Sequence, residues 1–187
     1  MSLTTLDPRV ALIVVDLQRG IVAIPAAHPV GEVLMHAREL ADAFRRQGLP
    51  VVLVKAGGLP PGRTERPRRF AQLPAGWDEL VPELDRQPGD HIVVKQQWGA
   101  FTNTGLKDFL DASGITQVVI AGVSTSIGVE STARQAHEFG FNVTLALDAM
   151  TDSSPEAHFN SSTRIFPRLG ETGSAGEIIT LLDSTCK

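Results

Sequence analysis

Short runs of β-branched and other apolar residues alternate along this chain with longer segments of helical period. Within each run the apolar residues are consecutive, as in strands that are buried on both faces. The intervening segments carry apolar residues three and four positions apart, which is the spacing of one helix face. This alternation predicts a three-layer, doubly wound α/β fold, with a mostly parallel sheet and helices on both faces. The predicted strands are residues 10–15, 50–54, 92–94, 118–121 and 143–147.

Residues typical of helix ends divide the segments between the predicted strands. Gly48, Gly114 and Gly140 follow helical patterns, as C-terminal caps do. Thr104 and Ser174 are placed to cap helices at their starts, and Ser153 with Glu156 resembles a capping box. Residues 57–88 are rich in Gly, Pro and Arg and predict a long irregular excursion with a helical turn near Trp77.

Length and charge restrict the classes of function. With 187 residues, 42% of them hydrophobic, the chain is expected to form one domain over residues 1–187. The net charge of −4 leaves no basic surplus for nucleic acid or an anionic membrane. One basic run, residues 63–69, is either a solvated loop or an arm that meets an anionic substrate or a partner subunit. A single cysteine and the absence of a signal peptide predict a cytoplasmic protein.

Polar residues stand at the ends of three predicted strands. Asp16 follows the first strand, Lys95 follows the third, and the turn 122–128 follows the fourth and opens a helix. Ligands of open parallel sheets bind outside the carboxyl ends of the strands, so these residues are expected to meet at one edge. Each also has a purely structural interpretation, as a turn residue, a solvated charge or a turn glycine. Together they predict a reactive site in which the helix start stabilises negative charge.

Other chemistries find little support in the sequence. Neither a phosphate-binding G-x-x-x-x-G-K-[ST] loop nor a G-x-G-x-x-G turn after a strand is present. The five histidines lack the spacing of metal ligands, and Cys186 stands in a terminal segment that offers a thiol no positioned base. We therefore expect no metal and no cofactor.

Four segments, in order and spanning nearly the whole chain, resemble the isochorismatase-like hydrolases, also called the cysteine hydrolases. They are residues 11–18 (ALIVVDLQ), 94–101 (VKQQWGAF), 121–134 (AGVSTSIGVESTAR) and 147–150 (LDAM). The resemblance implies a catalytic triad of Asp, Lys and Cys, for which Asp16 and Lys95 match. Gly128 occupies the position of the Cys.

The missing thiol changes what the resemblance implies. Amidases of the family attack with the Cys, and the nicotinamidase branch also has an Asp/His metal cluster where this chain has only residues 55–60, KAGGLP. Thiol-dependent amidase activity is therefore disfavoured. Isochorismatases that lack the Cys use the Asp as a general acid on a vinyl ether, and this chain resembles a Cys-less branch. The resemblance also implies a homodimer or larger homo-oligomer and a small-molecule substrate. The residues expected to bind that substrate are Gln18, Trp98, Phe101, Ser124, Thr125 and Ile127.

Three hypotheses follow. The first is a cofactor-free hydrolase in which Asp16 is the acid or base and Lys95 orients it or binds an anionic group. A general acid needs a raised pKa, whereas a neighbouring ammonium lowers it, and the sequence leaves this conflict open. The second is a non-catalytic relative that binds a small molecule in the retained pocket. The third is a flavodoxin-like nucleotide binder on the same sheet topology.

Overall fold

Six parallel strands form a single sheet in the computed structural model, which describes residues 3–58, 60–65 and 73–185. The strand order is β3-β2-β1-β4-β5-β6, and every neighbouring pair is parallel. The strands are β1 (Val10–Val15), β2 (Val51–Ala56), β3 (His91–Lys95), β4 (Gln117–Val123), β5 (Asn142–Thr151) and β6 (Glu171–Gly173).

Helices connect the strands and cover both faces of the sheet. They are α1 (Arg19–Val22), α2 (Val30–Arg46), α3 (Leu106–Ala112), α4 (Glu130–Glu138), α5 (Pro155–Asn160), α6 (Phe166–Leu169) and α7 (Ala175–Thr185). A 3₁₀ turn covers Pro82–Leu84, and two π-helical turns cover Thr125–Val129 and Ser161–Ile165. No helix among the described residues is long and apolar enough to cross a membrane.

Two apolar cores lie on opposite faces of the sheet. Leu12 and Val14 of β1 pack into the core that contains α2 and α7. Ala11, Ile13 and Val15 of the same strand pack into the core that contains α3, α4 and α6. Side chains of a strand alternate between the faces, so a strand covered on both sides needs consecutive apolar residues. The doubly wound α/β fold predicted from the sequence is therefore confirmed.

The strand bounds depart from the prediction mainly at β5 and β6. The apolar run ends at Leu147, but β5 continues past an irregularity in its pairing with β4, where Gly122 pairs with Met150. The side chain of Asp148 in this irregular stretch accepts a hydrogen bond from the amide of Ala175 at the start of α7. The sequence analysis missed β6, which has only three residues and no apolar run.

The caps also show two corrections. Ser154, not Ser153, caps α5, since its hydroxyl accepts the amide proton of Ala157. Ser174 caps α7 as predicted, by accepting from the amide of Glu177. Gly48 ends α2 with a φ of 66°. At α3 the N-cap is Gly105, and the predicted Thr104 instead accepts from the amide of Leu106 and donates to a carbonyl.

The predicted excursion lies between β2 and β3. Its described part holds a turn at 75–78, as predicted near Trp77, and the 3₁₀ turn Pro82–Leu84. The basic run 63–69 falls largely on residues 66–72, which lie outside the described residues. Its role therefore stays a prediction.

The order of the strands reverses between β1 and β4. β2 and β3 lie on one side of β1, while β4, β5 and β6 lie on the other. Gly122 of β4 has a φ of 115°, and a Cβ there would lie 2.0 Å from the carbonyl oxygen of Val15. Only glycine permits this approach. A reversal of this kind leaves a crevice at the carboxyl ends of the strands, where ligands of such sheets bind.

Candidate active site

Asp16 lies at the carboxyl end of β1, beside this crevice. Its amide donates to the carbonyl of Val54 in β2 at 2.9 Å, and its φ of 53° turns the chain sharply out of the sheet. Gln18 then donates its amide to the carbonyl of Asp16 at 2.8 Å. The residue is only 5% exposed, so its carboxylate is held inside the protein.

Lys95 reaches Asp16 from two strands away. It is the last residue of β3, and β2 separates that strand from β1, so the side chain bridges roughly 10 Å of sheet. Its Nζ donates to Asp16 Oδ2 at 2.7 Å and to the carbonyl of Gln97 at 3.2 Å. The Lys95 side chain is 3% exposed. The two predicted residues thus form a buried ion pair.

Burial controls the acidity of Asp16. Loss of hydration raises the pKa of its carboxyl from the ordinary value of 3.8 to about 6, against the lowering effects of the charge and hydrogen bond of Lys95 and of the nearby Ala56 amide. Its second oxygen, Oδ1, is buried and has no hydrogen-bond partner in the described part of the chain. A buried oxygen without a partner is costly unless it carries a proton or accepts a bond from a ligand.

Gly128 lies directly against this ion pair. It belongs to the π-helical turn Thr125–Val129 that follows β4. A Cβ at Gly128 would lie 3.1 Å from Asp16 Oδ2, 3.1 Å from Val15 Cγ1 and 3.3 Å from the Val123 carbonyl oxygen. The fold therefore brings Asp16, Lys95 and Gly128 together, and a side chain at position 128 would require its neighbours to move by a few tenths of an ångström.

Helix α4 holds the segment after Lys95 in place. Thr132 is fully buried, accepts the amide proton of Ala100 at 3.1 Å and donates to the carbonyl of Gly128 at 2.7 Å. Gln135, one turn further along, accepts the amide proton of Phe101 at 3.1 Å. One helix thus fixes both the glycine turn and the segment that leads away from Lys95.

Three of the residues expected to bind substrate are engaged within the protein. The amide of Gln18 exchanges hydrogen bonds with the backbone of Ala56, through Nε2 at 3.1 Å and Oε1 at 2.7 Å. Thr125 is fully buried, and its hydroxyl lies 2.9 Å from His158 Nδ1. The Phe101 ring packs in the core at 5.4 Å from the ring of Phe139. These contacts position the backbone around the site.

The other three have accessible surface. Trp98 is 53% exposed and Ile127 is 38% exposed, whereas Ser124 is half-buried. Ser124 and Ile127 line a cleft beside the glycine turn. These residues are therefore free to touch a ligand.

A polar cluster beside the site was missed by the sequence analysis. Asp152 is 3% exposed, and its Oδ2 accepts both the amide and the hydroxyl protons of Ser126 at 2.8 Å. His158 and His28 lie with ring centroids 4.5 Å apart, and burial together with His28 lowers the pKa of His158. Asp152 follows the true end of β5 at Thr151, so the strand-end rule would have found it had the strand been predicted at full length.

No group of three or more His, Cys, Asp or Glu side chains arranged to hold a metal occurs in residues 3–58, 60–65 and 73–185. Another cleft, of about 450 Å³, is lined by Asp7, His137 and Asn142 among others. Asn142 and Gln117 of its lining begin β5 and β4, so this cleft lies at the amino ends of the strands, away from the ion pair. The carboxyl edge holds the site defined by Asp16.

The fold and the site together define a class: doubly wound α/β proteins with a buried Asp–Lys pair and a helix start at the switch point of the sheet. The isochorismatase domain family matches residues 10–177. The uncharacterized isochorismatase family protein YecD of Escherichia coli O157:H7 is 40% identical over 179 residues, covering 92% of this chain and 95% of that protein. This chain belongs to the isochorismatase family.

A solved structure and a relative of named activity extend this placement. An isochorismatase family protein of Burkholderia thailandensis superposes with a TM-score of 0.93 at 40% identity, covering 97% of this chain and all of that one. The ureidoacrylate amidohydrolase RutB of Pseudomonas syringae is 33% identical over 179 residues, covering 78% of this chain and 72% of that protein. The chain is therefore hydrolase-like, and its relatives include amidohydrolases.

Proposed function

We propose that this protein is a cofactor-free hydrolase of a small metabolite, with Asp16 as its acid–base group. The observation that carries the proposal is the state of the Asp16 carboxyl, whose pKa is raised to about 6 and whose Oδ1 has no partner among the described residues. A carboxyl of this acidity is roughly one tenth protonated at neutral pH and transfers its proton readily. The effect of burial on the pKa of Asp16 exceeds that of Lys95, and this supports the role of an acid.

An enolpyruvyl ether is a substrate that such an acid suits. Protonation of the vinyl carbon by Asp16 produces an oxocarbenium ion, and the carboxylate that remains is paired with Lys95. Water adds to the cation and returns a proton to the site. The resulting hemiketal then breaks its C–O bond to release pyruvate and an alcohol. No covalent bond to the protein is needed, which fits a site with glycine at position 128.

Lys95 and the glycine turn have supporting roles in this scheme. Two of the three N–H donors of Lys95 are directed to Asp16 and Gln97 among the described residues, so a third can bind a substrate oxygen. Backbone amides at the start of the helix after β4 can stabilise an anionic oxygen. A homodimer or larger homo-oligomer, as the resemblance implies, stays a prediction that sedimentation analysis can test.

The second candidate is a protein that binds a small molecule without turning it over. Gly128 supports it, because the side-chain nucleophile position is empty of any reactive group. The deep burial of Asp16 also supports it, since only 5% of the residue is exposed. This candidate predicts thermal stabilisation by a ligand that is recovered unchanged.

The test compares the wild-type protein with Asp16→Asn on an enolpyruvyl ether, a small ester and a small amide. Pyruvate release or product chromatography measures turnover. Asp183→Asn is the matched control, since it removes an exposed aspartate of α7 that pairs with Gln47. We expect Asp16→Asn to lower the rate at least 100-fold and Asp183→Asn to leave it unchanged. Activity that survives Asp16→Asn undiminished would refute the mechanism.

A further inference from the structure

A cleft of about 170 Å³ lies beside the glycine turn, on the side of the sheet edge where α1 leads into α2. Eight of its twelve lining residues are apolar. Ile21 and Ile24 contribute from α1 and the segment after it, and Ala26 follows them along the chain. Its polar lining comes from the ends of β4 and β5 and the residues just beyond them.

The cleft and the Asp16 site share one short segment of backbone. Ser124 and Ile127 line the cleft, and Gly128 is the next residue along the turn. The amide of Ile127 donates to the carbonyl of Ser124 at 3.1 Å, which closes this turn on itself. A Cβ at Gly128 would lie 3.1 Å from Asp16 Oδ2. Ile127 at the cleft and Gly128 at Asp16 are thus consecutive residues of one turn, so the cleft and the Asp16 site are close neighbours.

The charges around the cleft select what it can hold. Among the described residues that line it there is no Lys, Arg or His, and its one ionisable group is Asp152. Asp152 Oδ2 already accepts two hydrogen bonds from Ser126, and Oδ1 accepts from the amide of Ser154 at 3.2 Å. An anionic group would find no cation here and would be repelled by Asp152, whereas a neutral group would gain from the apolar wall.

We propose that this cleft binds a neutral, mainly apolar group of the substrate, such as a short alkyl chain or a small ring. Each water-sized volume is about 30 Å³, so the cleft takes roughly six non-hydrogen atoms. The inference rests on the proposed hydrolase function in so far as the bound molecule is called a substrate. The binding itself does not depend on turnover.

Methyl NMR tests the binding directly. The probes are pentan-1-ol and pentanoate, which have nearly the same size and differ in charge. With isoleucine δ1 methyls labelled, pentan-1-ol is expected to cause saturable shifts at Ile21, Ile24 and Ile127. Ile115 and Ile178 lie in the two cores and serve as internal controls that stay unchanged. Pentanoate is expected to bind at least tenfold more weakly.

A pair of variants separates this cleft from general surface binding. Ala26→Phe introduces a ring into the cleft and is expected to weaken pentan-1-ol binding at least tenfold. Ala23→Phe is the matched control, because Ala23 is exposed on the same segment and does not belong to the lining. Unshifted control methyls show that each variant is folded. Equal binding of pentanoate, absence of shifts in the three isoleucines, or no effect of Ala26→Phe would each overturn the proposal.

The same experiment keeps the two proposals apart. In one outcome, pentan-1-ol binds in the cleft of both the wild-type and the Asp16→Asn protein while no enolpyruvyl ether, ester or amide is turned over. That result would support the cleft proposal and refute the hydrolase proposal. If turnover requires Asp16 but the isoleucine methyls do not respond to pentan-1-ol, the hydrolase proposal is supported and the cleft proposal is refuted.

Discussion

The Asp16 carboxylate and the Lys95 ammonium lie 2.7 Å apart although a complete strand separates the strands that carry them. Both side chains are almost fully buried, at 7% and 3% exposure. Asp16 Oδ2 has Lys95 as its partner, while Oδ1 has none among the described residues. One carboxyl thus has an anchored oxygen and a free one, which is an arrangement suited to repeated proton transfer.

The first prediction concerns the ionisation of Asp16. Its carboxyl resonance, followed by carbon NMR, is expected to titrate near pH 6. Since this value lies above the ordinary 3.8, the folded protein binds the proton more tightly than the unfolded chain. The contribution of Asp16 to stability is therefore fully present below about pH 4 and is lost as the pH rises through about 6. A titration midpoint near 4 would contradict the burial argument.

The same ionisation sets the expected pH dependence of turnover. If Asp16 acts as an acid, kcat/KM falls as the pH rises above about 6, by tenfold per unit in the limiting range. If Asp16 acts as a base, kcat/KM rises with pH instead of falling. Measuring kcat/KM between about pH 5 and 9 on any accepted substrate distinguishes the two roles.

Loss of Lys95 should destabilise the protein in a pH-dependent way. Lys95→Met leaves the Asp16 carboxylate buried and unpaired, at an expected cost of about 3–5 kcal/mol at neutral to basic pH. The cost falls as the pH is lowered, because protonation of Asp16 removes the unpaired charge. Urea unfolding at about pH 5 and 8 measures the difference.

Lys107→Met is the control for Lys95→Met. Lys107 pairs with Asp111 on one exposed face of α3, with the two side chains 33% and 51% exposed. An exposed pair of this kind is worth less than about 1 kcal/mol, and its loss should depend little on pH in this range. Equal losses of stability in the two variants would show that the buried pair contributes no more than an exposed pair.

A thiol introduced at position 128 should not by itself create thiol chemistry. The Cβ of Gly128→Cys would press on Asp16, Val15 and the Val123 carbonyl, and crowding of this kind costs about 1–3 kcal/mol. We expect a lower unfolding midpoint and no amidase activity on a small amide. Gly31→Ala, on α2 where an added Cβ meets nothing within 4 Å, is expected to be neutral or slightly stabilising. A stable Gly128→Cys protein with amidase activity would contradict this.

Thr132 should matter for the local order of the site. Thr132→Val removes the hydrogen bonds to the Ala100 amide and the Gly128 carbonyl, and an unpaired buried amide costs about 1–3 kcal/mol. Hydrogen exchange at the Ala100 and Phe101 amides is expected to accelerate. Thr180→Val, an exposed α7 position whose hydroxyl donates to the Gly176 carbonyl, should leave both stability and exchange nearly unchanged.

The sequence alone determined the architecture and pointed to the three residues that the fold brings together at the sheet edge. Consecutive apolar residues in β1, β2 and β4 require cover on both faces, and this requirement predicts the parallel sheet without any knowledge of contacts. Asp16 and Lys95 follow from the rule that parallel strands present their carboxyl ends at one edge. Gly128 was singled out by the resemblance alone, which implies a thiol at that position.

Only the tertiary structure decided how these residues behave. The acidity of Asp16 depends on burial by the surrounding segments, and a sequence does not report how much water remains around a carboxyl. The full length of β5, and with it the Asp152 cluster, depends on pairing with β4 past an irregular stretch. Gln18 and Phe101 contact Ala56 and Phe139, contacts that the sequence does not reveal, and their part in ligand binding stays a prediction. The local sequence pattern predicts which helices and strands form. The hydration of a carboxyl, the pairing of strands and the access of a ligand are properties of the assembled fold.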